Sequence, residues 1–201
     1  MEILAWAFTT GWGSGISGYS VVLILGLAGR LFGADGVPPG LARTDVLVAA
    51  AVLFVVDLVA DKIPYVDSAW DAVHTVIRPA IGATVAALIA GQSGSLPTIF
   101  AAATGGVTAL ASHAVKAGLR AAVNTSPEPA SNIALSTAED VTVAGVVSLS
   151  LLHPVAAAVI AAVLLVTGMT LVVLLIGRIR RFRNRWRERR LARSTTGAPT
   201  A

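Results

Sequence analysis

The sequence predicts an all-α, polytopic membrane protein, a bundle of about six transmembrane helices. Of its 201 residues, 55% are hydrophobic and only 13% are charged, and the mean hydropathy is +0.78. A water-soluble globule of this length cannot bury so much apolar surface. The apolar runs also lack the polar alternation of a membrane β-barrel, so helices are the structure that satisfies their backbone in lipid.

Windows of about 20 apolar residues mark six helices. They cover residues 14–32, 45–60, 67–90, 97–123, 132–152 and 154–176. Glycine- and proline-rich breaks separate them. The fifth helix gives the weakest signal because Ser136, Glu139 and Asp140 lie near its start. We therefore expect one helix, the fifth, to be tilted, re-entrant or broken and to line water.

The chain divides into a bundle at residues 1–177 and a basic tail at residues 178–201. Nine arginines and a single glutamate, Glu188, lie between Arg178 and Arg193. Basic residues next to a span stay on the cytoplasmic side, so the tail is predicted to be cytoplasmic. With six spans the N-terminus is cytoplasmic too. The sequence thus predicts a multi-pass protein of the cell membrane, the inner membrane in a bacterium.

The tail carries basic and aromatic side chains at helical spacing, which is typical of a helix that lies along anionic lipid headgroups. The residues concerned are Arg178, Arg181, Phe182, Arg185, Trp186 and Arg189. Because topology and lipid contact explain this pattern, nucleic acid is not expected as a partner.

Several enzyme classes are excluded or disfavoured by what the sequence lacks. There is no cysteine, which removes disulfides, thiolate metal sites and cysteine nucleophiles. The chain also has no P-loop, nucleophile elbow, His-Glu-x-x-His helix or dinucleotide fingerprint. An enzyme is therefore the less favoured class.

Charged residues inside the predicted bundle are the candidate functional residues, because a charge in hydrocarbon needs a partner, a water-filled cavity or a function. Asp67, Asp71, His74 and Arg78 fall on one face of the third helix. At 1.5 Å per residue, Arg78 lies about 16 Å from Asp67, close to the middle of the hydrocarbon layer.

The same spacing recurs on the next two helices. His113, Lys116 and Arg120 share one face of the fourth helix, and Asn132, Ser136 and Glu139 share one face of the fifth. The predicted substrate- or ion-binding residues are Asp67, Asp71, His74, Arg78, His113, Lys116, Arg120, Asn132, Ser136, Glu139 and Asp140. Residues within a turn of a helix end have an ordinary alternative explanation, since their side chains can snorkel to the interface.

Two motifs resemble a known family. They are Asp-Lys-Ile-Pro-Tyr-Val-Asp-Ser-Ala-Trp-Asp from Asp61, continued by His74 and Ile77-Arg-Pro, and Asn-Thr-Ser-Pro-Glu-Pro-Ala-Ser-Asn from Asn124 with Glu139-Asp140. Over residues 13–154 the chain resembles the integral membrane family catalogued as domain of unknown function 4126. The resemblance implies a membrane protein and brings no activity with it.

Three functions are compatible with these residues. The leading hypothesis is a transporter or channel for a small charged substrate, with a cytoplasm-facing polar cavity in which Arg78 is paired with Glu139, or else with Asp140. The substrate would be a cation, an anion or a lipid phosphate. A non-catalytic scaffold is another hypothesis. It would assemble through small-residue helix faces with other membrane proteins or with copies of itself.

The second hypothesis is a membrane enzyme that acts on a phosphorylated polyprenyl lipid. Asp57 with Asp61 and Asp67 with Asp71 form two Asp-x-x-x-Asp pairs around a short loop. Carboxylate oxygens at this spacing could bind a divalent cation and a diphosphate. No other cofactor is expected.

Overall fold

Six α-helices and no strand make up the described part of the chain, residues 2–63, 65–91, 93–124 and 129–196 of a computed structural model. The side chains of residue 129 and of 183–196 are not described. The helices are α1 Glu2–Phe32, α2 Thr44–Ala60, α3 Val66–Ala90, α4 Ser95–Val123, α5 Pro129–Leu152 and α6 Pro154–Thr196. The all-α membrane bundle is therefore confirmed, and helices two to five agree with the predicted ones to within three residues at each end.

Within those residues, five helices are long and apolar enough to cross a membrane: α1, α3, α4, α5 and the Pro154–Phe182 part of α6. Helix α2 has 17 residues, which corresponds to about 26 Å. It is therefore slightly shorter than a typical span, although it connects the two ends of the bundle.

Helix α1 is broken in its middle and folds back on itself. Ser17 has extended backbone angles, φ −148° and ψ 88°, between two helical halves. A Cβ added to Gly13 would lie 2.9 Å from Cγ2 of Val21, eight residues later. In a continuous helix those positions are about 12 Å apart along the axis. The two halves of α1, residues 2–16 and 18–32, therefore form a helical hairpin with its tip at Ser17.

Both ends of the hairpin lie at the same end of the bundle. One cavity is lined by Glu2, Asp35, Ser93 and Pro154, so the start of α1 lies beside the connections α1–α2, α3–α4 and α5–α6. We call the other end of the bundle, which holds the α2–α3 and α4–α5 connections, the tail end. Helix α6 runs toward the tail end and continues to Thr196.

The hairpin corrects one expectation and removes the basis of another. The broken helix is α1, whereas α5 is continuous from Pro129 to Leu152. The polar residues that suggested a break in α5 instead face other polar side chains. The expectation that both termini lie on one side depended on α1 crossing the membrane, and a hairpin removes that basis. Helix α1 also begins at Glu2, twelve residues before its predicted start.

Glycine allows the hairpin to sit at the centre of the bundle, where α1 packs against all five other helices. A Cβ on Gly15 would overlap Oγ of Ser112 and the carbonyl oxygen of Ala109, both in α4. The backbones of α1 and α4 can approach this closely only because Gly15 has no side chain. The tip of the hairpin is thereby held against the charged part of α4.

Candidate functional site: a buried ion-pair network

The charged residues of four helices, α2 to α5, and of the α2–α3 connection meet around the tip of the α1 hairpin, in the half of the bundle nearer the tail end. We call them the ion-pair network, which comprises Asp57, Asp61, Lys62, Asp67, Asp71, Arg78, Lys116, Arg120, Glu139 and Asp140. Arg78 is 0% exposed and Arg120 is 1% exposed. Guanidinium groups with so little exposure are stable only when their partners replace water.

Arg78 forms the inner part of the network with two aspartates. Its two terminal nitrogens lie 2.8 Å from Oδ1 of Asp71 and 3.0 Å from Oδ1 of Asp57. Asp57 also accepts hydrogen bonds from Trp70 Nε1 at 2.7 Å and from Ser17 Oγ at 3.2 Å. The inner part therefore joins α2 and α3 directly to the tip of the α1 hairpin.

Two histidines complete the inner part, and their partners fix their tautomers. Arg78 donates to Nδ1 of His113 at 3.1 Å, so this nitrogen is an acceptor and carries no proton. Nδ1 of His74 donates to the carbonyl oxygen of Trp70 at 2.8 Å, and its Nε2 forms a hydrogen bond of 3.0 Å with the hydroxyl of Tyr19. His113, whose Nδ1 accepts from a guanidinium, is therefore neutral.

Lys116 connects Asp61 to the break in α1. Its ammonium donates to the carbonyl oxygen of Ile16 at 2.8 Å and to Oδ2 of Asp61. Ile16 ends the first half of α1, where carbonyl groups lack helical partners and attract a cation. Ser17 precedes the second half of α1. The N-terminal end of that half carries a partial positive charge, which stabilises the nearby Asp57 carboxylate. The charges around the tip thus match the polarity of the two helix ends.

Arg120 forms the outer part of the network. It lies 2.8 Å from Oε2 of Glu139 in α5, 3.3 Å from Oδ2 of Asp61 and 3.5 Å from Oδ2 of Asp67. Asp67 in turn accepts hydrogen bonds from Asn124 and, at 3.1 Å, from Asn132. Arg120 is therefore the main link between the α2–α3 connection and helix α5.

A second link to α5 lies closer to the surface. The ammonium of Lys62 donates to Oγ of Ser136 at 3.3 Å and lies 3.8 Å from Oδ2 of Asp140. The side chains of Lys62 and Asp140 are 29% and 19% exposed, so this pair reaches the edge of the network. Direct packing between α4 and α5 is sparse, and the Arg120–Glu139 pair bridges these two helices.

All eleven residues predicted to bind a substrate or ion therefore lie in or against one network. The predicted pairing of Arg78 with Glu139 is wrong. The carboxylates that contact Arg78 are Asp57 and Asp71, whereas Glu139 pairs with Arg120 and lies 3.8 Å from Lys116. Helical depth suggested the wrong partner because α2 brings Asp57 to the same level as Arg78.

The predicted metal ligands Asp57, Asp61, Asp67 and Asp71 all belong to the network as well. Each is paired with a basic or amide side chain, and no group of three or more acidic or histidine side chains in the described ranges has an arrangement suited to a metal. A divalent cation at these aspartates stays a prediction that the geometry does not favour.

Sequence reasoning missed four contributors: Ser17, Tyr19, Trp70 and Thr75. Thr75 lies 3.1 Å from Nε2 of His113, and the others contact Asp57 or His74. The available signal was the run Gly-Trp-Gly-Ser-Gly-Ile-Ser-Gly from Gly11. The glycines in this run disfavour a continuous helix. Close packing between helices explains the same glycines equally well, so the run alone did not predict the break.

The network has more acidic than basic groups. Within the described residues, the inner part has two carboxylates for Arg78, and the outer part has four for Lys62, Lys116 and Arg120. Counted over Asp, Glu, Lys and Arg, each part therefore has one carboxylate in excess. Oδ1 of Asp61 and Oδ2 of Asp71 are buried and have no hydrogen-bond partner within this part of the chain.

Together, the fold and the buried network define a polytopic helical membrane protein. The chain matches the family described as domain of unknown function (DUF4126) over residues 4–174, and it belongs to that family. No curated protein and no solved structure matches it significantly.

Proposed function

We propose that the protein is a membrane transporter or channel for a small charged substrate, and that cations, including protons, are the favoured substrates. The observation that carries this proposal is the ion-pair network at the tip of a broken, re-entrant helix. Broken helices that expose backbone carbonyls at membrane depth are tolerated where they line a cavity or bind an ion. The excess of one carboxylate in each part of the network favours a positive substrate.

Exchange of partners within the network provides the mechanism. A cation that enters from the tail end competes with Lys116 and Arg120 for Asp61 and Glu139. Arg120 and Lys62 join α5 to α4 and to the α2–α3 connection, so loss of those contacts separates the polar end of α5 from these elements. The inner part, with Arg78 between two aspartates, separates this site from the opposite end of the protein.

The orientation follows from the basic tail. We propose that the tail end faces the cytoplasm, because arginines next to a span stay inside. The hairpin and five crossings, counting α2, then place the N-terminus outside. We also propose that the arginine-rich tail contacts anionic lipid headgroups. Arg185, Trp186 and Arg189, on which that prediction depends, have side chains outside the described residues.

A lipid-phosphate enzyme is supported less well. Its metal would need aspartates that are free to bind it, but Asp61 and Asp67 both contact Arg120. Moving these partners apart would leave guanidinium groups buried without a counter-ion, which is costly in a membrane.

The direct test is flux into liposomes that contain the purified protein. Protons, alkali cations, small organic cations, small anions and polyprenyl phosphates are supplied in turn under a gradient, with empty liposomes as the control. We expect protein-dependent flux of at least one cation. Inactivity with every substrate would contradict transport, and movement of polyprenyl phosphate alone would contradict the cation preference.

A further inference from the structure

A cavity of about 190 Å³ lies beside the outer part of the network, between α1, α4, α5 and α6. Most of its wall is apolar, formed by Trp12, Ile16, Val115, Leu119, Leu164 and Leu165. An apolar cavity of about 150 Å³ in another protein binds benzene. The cavity therefore has room for a ligand of that size or slightly larger.

The polar end of the cavity is formed by Glu139 and Lys116. The Glu139 side chain is 11% exposed, whereas that of Lys116 is 1% exposed and its ammonium is bound to the carbonyl oxygen of Ile16 and to Asp61. The carboxylate is thus the more accessible of the two charges. Its Oε2 lies 2.8 Å from Arg120 and 3.8 Å from Lys116, so a bound cation shares the carboxylate with these side chains or replaces them. The excess carboxylate of the outer part also makes a cation the electrostatically favoured ligand.

The chemistry of the wall selects among cations. Trp12 contributes an aromatic side chain to the wall, and aromatic rings attract organic cations. A small, strongly hydrated ion would lose water against this apolar wall and gain nothing from it. A cation whose charge is covered by methyl groups loses little hydration and gains contact with the apolar wall.

We propose that this cavity binds a small organic cation of the quaternary ammonium type, with its charge beside Glu139 and Trp12 and its methyl groups against the apolar wall. The inference rests on the proposed transport function and names the substrate class of its outer site. The sparse packing between α4 and α5 provides the path by which such a ligand enters from the bilayer or the tail end.

Binding of radiolabelled tetramethylammonium to purified protein in lipid nanodiscs tests the proposal. Unlabelled tetramethylammonium should compete, while potassium, tetrabutylammonium and hexanoate should not, since they differ in hydration, size and charge. Glu139→Gln should weaken binding at least about tenfold, equivalent to about 1.4 kcal/mol.

Two threonines provide a size test with a matched control. Thr142 lines the cavity and Thr137 is exposed outside it, and both hydroxyls donate to the carbonyl oxygen four residues earlier in α5. Thr142→Phe fills the cavity and should abolish binding, whereas Thr137→Phe should bind like the wild type. This pair tests the site even where Glu139→Gln fails to fold.

Three results would overturn the inference: no saturable binding of tetramethylammonium, equal competition by potassium or hexanoate, or full binding by Thr142→Phe. Ion flux in liposomes separates this failure from failure of the proposed function. Proton or alkali-cation flux without tetramethylammonium binding contradicts only the substrate class. Tetramethylammonium binding with no flux of any ion contradicts transport and leaves a binding site.

Discussion

Ser17 donates a hydrogen bond of 3.2 Å to Asp57, and this contact ties the break in α1 to the ion-pair network. It places the end of a half-helix of α1 beside a buried carboxylate of α2. Asp57 also contacts Arg78, which lies about midway along α3. The position of the break therefore matters for the site, and the site in turn gives the hairpin tip its polar partners.

The first prediction concerns the topology. Because the hairpin returns α1 to its starting side, cysteines introduced at Glu2 and at Ser93 should react with a membrane-impermeant reagent from the same side. A cysteine at Ser194, in the tail, should react from the other side. The cysteine-free sequence makes each variant a single-cysteine protein. Labelling of Glu2→Cys and Ser194→Cys from one side would contradict the hairpin.

The second prediction concerns the close contact at Gly15. Gly15→Ala should lower the free energy of unfolding by about 1–3 kcal/mol, because the added Cβ overlaps α4. Gly145→Ala is the control, since a Cβ there meets nothing within 4 Å. Unfolding in mixed micelles measures both. Equal stability of the two variants would show that α1 and α4 are not packed this closely.

The third prediction concerns Arg78. Removing its guanidinium in Arg78→Ala leaves two buried aspartates without their counter-ion, so the protein should lose about 3–5 kcal/mol of stability. Arg30→Ala serves as the control because its side chain is at the exposed end of α1. If the two variants melt at the same temperature, the inner part of the network is not formed.

The fourth prediction concerns the pair that joins α4 to α5. A double-mutant cycle on Arg120 and Glu139 should give a clear coupling energy, on the order of 0.5–3 kcal/mol for contacting residues. The same cycle on Arg78 and Glu139 should be close to additive. The exposed pair Arg43 and Asp45 should show little coupling, because solvent screens it. Strong coupling between Arg78 and Glu139 would restore the pairing that sequence alone suggested.

The fifth prediction concerns the acceptor role of His113. His113→Asn keeps a side-chain acceptor toward Arg78 and should be more stable than His113→Lys, whose ammonium would face the guanidinium. The difference should be at least about 1–3 kcal/mol, the cost of an unsatisfied buried polar group. Equal melting temperatures would mean that Arg78 does not use this ring nitrogen.

Much of the fold and most of the network could be predicted from the sequence. Apolar windows locate helices, and the spacing of Asp71 and Arg78 or of Lys116 and Arg120 puts each pair on one helix face. Which helices face each other could not be predicted, since helical period says nothing about neighbours. This is why Arg78 was assigned to Glu139 and not to Asp57.

The hairpin was missed for a related reason. An apolar segment long enough to span looks the same whether it crosses the membrane or returns, and the difference depends on packing at Gly13 and Gly15. Ser17 and Tyr19 gave no signal by themselves, because single small or aromatic residues are ordinary in membrane helices. Their roles follow only from the partners that the fold brings to them.

The central claim is that the network moves charge across the membrane, and charge movement on a solid-supported membrane tests it most directly. Asp61 contacts both Lys116 and Arg120, whereas Asp35 is an exposed carboxylate at the opposite end of the bundle. Under a gradient of protons or cations, wild type and Asp35→Asn should give equal currents. Asp61→Asn, reconstituted in folded form, should give a current at least about tenfold smaller, which corresponds to about 1.4 kcal/mol in the barrier to charge movement. A silent wild type, or a folded Asp61→Asn with undiminished current, would contradict the account.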